Sequence, residues 1–73
     1  MVNLQKHYQE SIGAKIRRER EKLGISQEQF GALVKAHRTY VGMIERGEKN
    51  ITLHNLIKFA QALNMQIRDL IDF

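Results

Sequence analysis

The apolar residues of this chain recur every three or four positions in several short stretches, and none of these stretches alternates strictly between apolar and polar residues. Recurrence at that spacing is typical of amphipathic helices, whereas strict alternation is typical of half-buried strands. The pattern therefore predicts an all-α domain, a compact bundle of five short helices. The predicted helices cover about residues 9–23, 26–34, 38–46, 53–63 and 66–72, and residues 1–8 are predicted to be an N-terminal extension.

Residues at the predicted helix ends favour these boundaries. Ser26 is suited to cap the second helix, and Gln29 stands at the reciprocal position of a capping box. Thr52 is suited to cap the fourth helix. Residues 35–37 then form a short turn between the second and third helices. The residues suited to the left-handed backbone conformation that ends a helix are Gly24, Gly47 and Asn64.

Two charged residues stand where the helical pattern expects apolar side chains. Arg20 lies on the apolar face of the first helix, and Glu45 lies beside Val41 and Ile44 on the inner face of the third. Leaving one buried charge without its partner costs about 3–5 kcal/mol, so we predict that Arg20 and Glu45 form an ion pair across the bundle. The alternative is that Arg20 extends its charged end into water from the edge of that face.

The charge balance points to a class of partner. The chain has 73 residues, with 12 Lys and Arg against 8 Asp and Glu, which gives a formal net charge of +4. The excess of basic residues lies in residues 1–50, which include the second and third helices, whereas residues 51–73 carry equal numbers of basic and acidic residues. A polyanion is the natural partner for this distribution. The alternative is that the positive charge only keeps a small protein in solution.

Several other classes of protein fit the composition poorly. The chain has no cysteine and its histidines are scattered, so we expect no metal site, no cofactor and no enzymatic activity. No apolar run approaches the roughly 20 residues that span a bilayer, and no site for a small molecule is evident. We therefore expect a cytoplasmic protein.

The second and third helices, joined by a tight turn, have the size and chemistry of a unit that lays one helix in the major groove of DNA. With Val41, Ile44 and Glu45 turned inward, the helical wheel places Gly42 outward, where it would allow close approach to the groove. The residues predicted to read bases are Arg38, Thr39 and Met43. The residues predicted to contact the sugar-phosphate backbone are Gln27, Lys35, His37, Tyr40, Arg46, Lys49 and Asn50.

The last two helices carry more apolar residues than a bundle of this size readily covers. An uncovered apolar patch usually marks an association site, and a small domain gains stability from a second copy. We therefore predict a symmetric homodimer, and the alternative is a monomer with a fully internal tail. The residues predicted for the dimer interface are Phe59, Leu63, Ile67, Leu70, Ile71 and Phe73.

Three segments make the chain recognisable: IGAKIRREREKLGISQEQFG, VGMIERGEKNITLHNLIKFAQALN and IRDLI. Over residues 12–72 the chain resembles the lambda-repressor-like, Cro/C1-type helix-turn-helix family. Within that family, RTYVGMIERGEKNITL is most similar to the controller proteins of restriction–modification systems. The resemblance implies a small homodimer that binds paired double-stranded DNA operator sites and regulates its own operon and the endonuclease gene. The two-fold symmetry of the predicted dimer favours near-palindromic operators. It also implies that Arg38 and Thr39 read bases, that Gln27 contacts phosphate and that Arg20 and Glu45 form the family's salt bridge; RNA polymerase is a candidate further partner.

Three residues depart from the pattern of that family. Lys35 stands in the turn where glycine is frequent, Gly31 replaces the usual alanine of the second helix, and Gly42 replaces a small hydroxyl residue. These departures keep two alternatives open. One is a phage-type repressor, and the other is an antitoxin or autoregulator whose main partner is a protein.

Overall fold

Five helices and the turns between them make up residues 3–72, the part of the chain that this computed structural model describes. No strand occurs among those residues, so the predicted all-α bundle of five helices is confirmed. The helices are α1 (Leu4–Lys22), α2 (Gln27–Val34), α3 (Arg38–Glu45), α4 (Leu53–Ala62) and α5 (Ile67–Leu70).

Helix α1 begins five residues before the predicted start. The Asn3 side chain caps it by accepting a hydrogen bond from the Lys6 backbone N–H over 3.1 Å. Tyr8, one turn before Ile12, packs against the core and extends the buried face backward. The predicted N-terminal extension is therefore helical from residue 4, whereas Leu23, expected on the buried face, is exposed.

Left-handed residues end the first four helices. They are Gly24 (φ 72°), Lys35 (φ 57°), Gly47 (φ 73°) and Asn64 (φ 56°). After α3, the Glu48 N–H donates to the Met43 carbonyl over 2.9 Å and the Gly47 N–H donates to the Ile44 carbonyl over 3.0 Å. This pair of bonds is a Schellman motif, which fixes the chain direction just beyond α3.

The core lies between the helices and is centred on Phe30 and Phe59, whose rings meet edge to face with centroids 5.0 Å apart. Helix α5 packs on α4 and α1 and brings Leu70 into this core. Three residues predicted for a dimer interface, Phe59, Leu63 and Leu70, are consequently buried within the protomer, and that assignment was wrong for their side chains. Ile67 is half-buried, Ile71 is exposed, and Phe73 lies outside the described residues.

Helix α1 crosses α3 at very short range. A Cβ atom on Gly13 would overlap the Ile44 carbonyl oxygen, and it would lie 2.7 Å from the Glu45 carbonyl oxygen. Only glycine permits this approach of the two backbones. The C-terminal half of α3 is thereby seated directly on α1.

Candidate nucleic-acid interface

An ion pair beneath α3 holds this helix against α1. Arg20 Nε donates to Glu45 Oε2 over 2.6 Å, and Arg20 Nη2 donates to Glu45 Oε1 over 3.0 Å. The third donor, Arg20 Nη1, bonds the Ile25 carbonyl over 2.8 Å. The hydrogen bond with Glu45 raises the pKa of Arg20 despite burial. Because both side chains are buried and the fork is bidentate, this pair orients α3.

The N-terminal end of α2 is fixed by its capping box and by a contact with α3. Ser26 and Gln29 form the predicted capping box, with bonds of 2.8 and 3.0 Å. Gln27 is half-buried, and its Nε2 donates to Glu45 Oε1 over 3.0 Å. Gln27, the predicted phosphate contact, is therefore held by the same carboxylate that binds Arg20.

The N-terminal turn of α3 is exposed. The His37 side chain caps the helix, with Nδ1 accepting a hydrogen bond from the Thr39 N–H over 3.0 Å. Arg38 and Thr39, the predicted base readers, point to solvent. Arg38 Nη1 lies 3.0 Å from Glu28 Oε2, an ion pair between two highly exposed side chains. An exposed pair of this kind contributes little to stability, so Arg38 can exchange Glu28 for another acceptor at small cost.

The middle of α3 differs from the helical-wheel prediction. Gly42 is buried because neighbouring side chains lie over it: a Cβ there would be 3.0 Å from Arg46 Nη1 and 3.4 Å from Gln27 Oε1. Met43, the third predicted base reader, is half-buried. The outer surface of α3 at this level is therefore formed by the ends of Arg46 and Gln27.

Arg46 is held by a second bidentate pair. Its Nε and Nη2 donate to the Glu48 carboxylate over 2.7 and 3.2 Å. This hydrogen bonding lowers the pKa of Glu48 and raises the pKa of Arg46. Both side chains are about half exposed, so the pair lies at the surface of the predicted reading face.

The flank of α3 is held to α4. Tyr40 lies edge-on to Phe59 at 6.2 Å, and its hydroxyl accepts a hydrogen bond from Asn55 Nδ2 over 2.9 Å. Lys49 Nζ lies 5.6 Å from the centroid of the Tyr40 ring, in cation–π range. Lys35 and Asn50, the remaining predicted backbone contacts, are exposed in the loops on either side of α3.

Within residues 3–72, no cluster of histidine or carboxylate side chains is placed to hold a metal ion. No helix in that range is both long and apolar enough to cross a membrane.

Comparisons with known proteins agree with this geometry. Residues 16–70 match the helix-turn-helix family. The control protein C.BamHI of Bacillus amyloliquefaciens is 44% identical over 63 residues, which cover 85% of this chain and 78% of the relative. The chain is a helix-turn-helix protein of the control-protein family. A second relative, the control protein C.SmaI of Serratia marcescens, is 40% identical over 62 residues, which cover 85% of this chain and 74% of the relative.

A solved structure supports the same family and fold. The restriction-modification controller protein C.AhdI from Aeromonas hydrophila has a TM-score of 0.86 and 35% sequence identity to this chain. The match covers 93% of this chain and 99% of that one. The helix-turn-helix unit is therefore α2, the turn at residues 35–37, and α3.

Sequence reasoning missed several residues that shape this helix-turn-helix surface. Glu28 and Glu48 pair with arginines at opposite ends of α3, Asn55 positions Tyr40, and Gln9 Nε2 donates to the Gly47 carbonyl over 3.0 Å. In the sequence alone, Glu28 is an ordinary acidic residue in the first turn of a helix, Glu48 is an ordinary charged loop residue, and Asn55 is an ordinary amide in a first turn. Only the position of Glu48 carried a signal: it directly follows Gly47, the residue that ends α3, and therefore had to lie near the end of that helix.

Proposed function

We propose that this chain is the controller protein of a restriction–modification system, which binds a near-palindromic DNA operator and regulates its own gene and the endonuclease gene. One observation carries the proposal: Arg38 and Thr39 are exposed on a helix braced from beneath by a buried ion pair. The family membership and the controller protein among its structural neighbours support it. Its site of action would be the bacterial cytoplasm, with RNA polymerase as a further partner at the promoter.

The proposed base contacts follow from the chemistry of these side chains. A guanidinium donates two hydrogen bonds to the major-groove acceptors of guanine, and a threonine offers a hydroxyl to a base edge or a methyl to thymine. Gln27, at the first turn of α2, is placed for a phosphate oxygen, since the free N–H groups of a helix N-terminus attract anions. Lys35, Lys49 and Asn50 would add contacts to the sugar-phosphate backbone on either side.

The proposed operator is read by two copies of the chain. The interface would use Ile67 and Ile71 of the C-terminal segment, together with two apolar side chains of α4. These are Leu53 and Ile57, which are 68% and 38% exposed. A helical wheel places both on the flank of α4 opposite Asn55, and therefore away from Tyr40 and the reading helix. A dimer built there would present two copies of α3 about 34 Å apart, one turn of DNA.

Selection from random DNA duplexes tests the proposed function. The wild-type protein should enrich a sequence with two related half-sites, and Arg38→Ala should reduce its affinity by about 1–3 kcal/mol and relax the preference at one base pair. Lys49→Ala should instead weaken binding to all sequences alike. The proposal fails if the wild-type protein enriches no sequence. Unchanged operator preference in Arg38→Ala would show that the reading face is misassigned.

Sedimentation tests the dimer separately. The wild-type protein should sediment as a dimer at tens of micromolar, and Ile71→Asp should shift it toward the monomer because a charge would be buried at the interface. Leu4→Asp makes the same kind of change at an exposed apolar residue at the start of α1, outside the proposed interface, and serves as the control. A wild-type monomer, both free and on operator DNA, would refute the dimer.

A further inference from the structure

The side chain of Arg46 lies over the centre of α3. Although Arg46 follows the last residue of the helix, its Nη1 reaches back one turn to the surface above Gly42, where a Cβ would be 3.0 Å away. The Oε1 atom of Gln27 lies near the same spot, 3.4 Å from that Cβ position. A residue predicted to be a peripheral phosphate anchor is therefore folded across the middle of the reading face.

Two features hold Arg46 in this pose. The Glu48 carboxylate binds Nε and Nη2 over 2.7 and 3.2 Å, which leaves the two hydrogens of Nη1 for another acceptor. Glu48 is itself fixed through its backbone, because its N–H donates to the Met43 carbonyl in the Schellman motif. Gly42 supplies the space, since a methyl group there would press on the guanidinium.

From this geometry we propose that Arg46 reads a base pair near the middle of each half-site, with Glu48 as its positioning residue. The inference rests on the proposed operator-binding function. A guanidinium over the middle of a groove-facing helix meets base edges, and arginine is the side chain best suited to the acceptors of guanine. Glu48 sets its orientation and also repels DNA phosphates, so it weakens binding to sequences that offer Arg46 no base contact.

The test compares operator DNA with an unrelated duplex for two variants of this pair. Arg46→Lys keeps the charge but loses the planar fork, so the ratio of operator affinity to unrelated-DNA affinity should fall roughly 5- to 150-fold with the salt dependence unchanged. Glu48→Gln should raise affinity for unrelated DNA more than affinity for the operator, and so lower the same ratio. Repeating the random-duplex selection with Arg46→Lys should relax the preference at one base pair of each half-site.

Helix α1 offers matched controls. Arg17 and Glu21 form an exposed pair at 3.5 Å on α1, outside the interface described above. Arg17→Lys and Glu21→Gln make the same chemical changes there, and both should leave the affinity ratio unchanged. Thermal denaturation should show all four variants folded, since exposed pairs contribute little to stability.

Two outcomes would overturn the inference. A wild-type affinity ratio and selected sequence in Arg46→Lys would show that Arg46 contacts phosphate rather than a base. An equal effect of Glu48→Gln and Glu21→Gln on the two affinities would show that Glu48 contributes only its charge and does not position Arg46. Both of these outcomes differ from a failure of the proposed function, in which the wild-type protein itself would select no DNA sequence.

Discussion

Replacing Arg20 with alanine should nearly unfold the domain. The substitution leaves the Glu45 carboxylate, whose side chain is only 1% exposed, with Gln27 as its remaining side-chain partner. Removing one member of a buried ion pair costs about 3–5 kcal/mol, mostly because the other charge stays buried without compensation. The Ile25 carbonyl also loses its bond from Arg20.

This cost is large relative to the whole domain. Globular proteins have about 0.05–0.15 kcal/mol of stability per residue, which corresponds to about 4–11 kcal/mol for a chain of this length. In domains of this size each 1 kcal/mol shifts the melting temperature by about 4–8 °C. We therefore expect Arg20→Ala to melt at least about 12 °C below the wild-type protein, with little folded variant left at 37 °C if the starting stability is near the lower limit.

The assay is thermal denaturation followed by circular dichroism, at one protein concentration for every variant because dimerisation would shift the melting temperature. Arg18→Ala is the matched control: Arg18 is exposed on the same helix, so its loss should change stability by no more than about 0.5 kcal/mol. Replacing both Arg20 and Glu45 with methionine should recover most of the loss. Equal melting temperatures for Arg20→Ala and Arg18→Ala would refute the reasoning.

Three further predictions concern the turns of the helix-turn-helix unit and the loop after it. Gly31→Ala should lower the melting temperature despite the better helix propensity of alanine, because its Cβ would lie 2.5 Å from the Ala36 carbonyl oxygen; a higher melting temperature would contradict this. Lys35→Gly should stabilise the domain by up to about 1 kcal/mol in urea denaturation, since Lys35 occupies the left-handed region at φ 57°. No gain would show that the lysine side chain offsets its backbone cost. The hydrogen bond with Arg46 lowers the pKa of Glu48, so the ionised Glu48 carboxylate should stabilise the folded protein. This stabilisation should be complete above the ordinary pKa of 4.5 and be lost as the pH falls through the lowered pKa. An NMR titration of the Glu48 carboxyl in the wild-type protein and in Arg46→Ala measures this, and identical midpoints would exclude the pair in solution.

Much of the fold follows from local rules that act within a few residues. The capping box of Ser26 and Gln29, and the stops at Gly24, Gly47 and Asn64, lie where the sequence placed them because each depends on neighbouring backbone groups. Pairing of Arg20 with Glu45 could also be inferred, since two charges on buried faces leave few alternatives. Lys35 was different: its left-handed conformation is imposed by the turn and is not a preference of lysine.

The errors came from features that a helical wheel does not contain. A wheel reports where each Cα–Cβ bond points, so it placed Gly42 at the surface and gave no sign that Arg46 and Gln27 lie over it. The wheel also cannot show how two helices pack. Phe59 and Leu70 were assigned to an interface because the return of α5 onto α4 and α1 was not visible in the pattern.

The contact of Gly13 with the end of α3 means that selection for folding and selection for DNA target act on different turns of α3. Its last turn is locked to α1 at a point where no larger residue fits, so selection for folding falls on that turn. In the opening turn, Arg38 and Thr39 are exposed, and the one ion pair they make, between Arg38 and Glu28, lies at the surface, so these two positions are free to diversify. A combinatorial library at these two codons should therefore yield folded proteins with new target preferences, and new regulators could arise from this scaffold by few mutations.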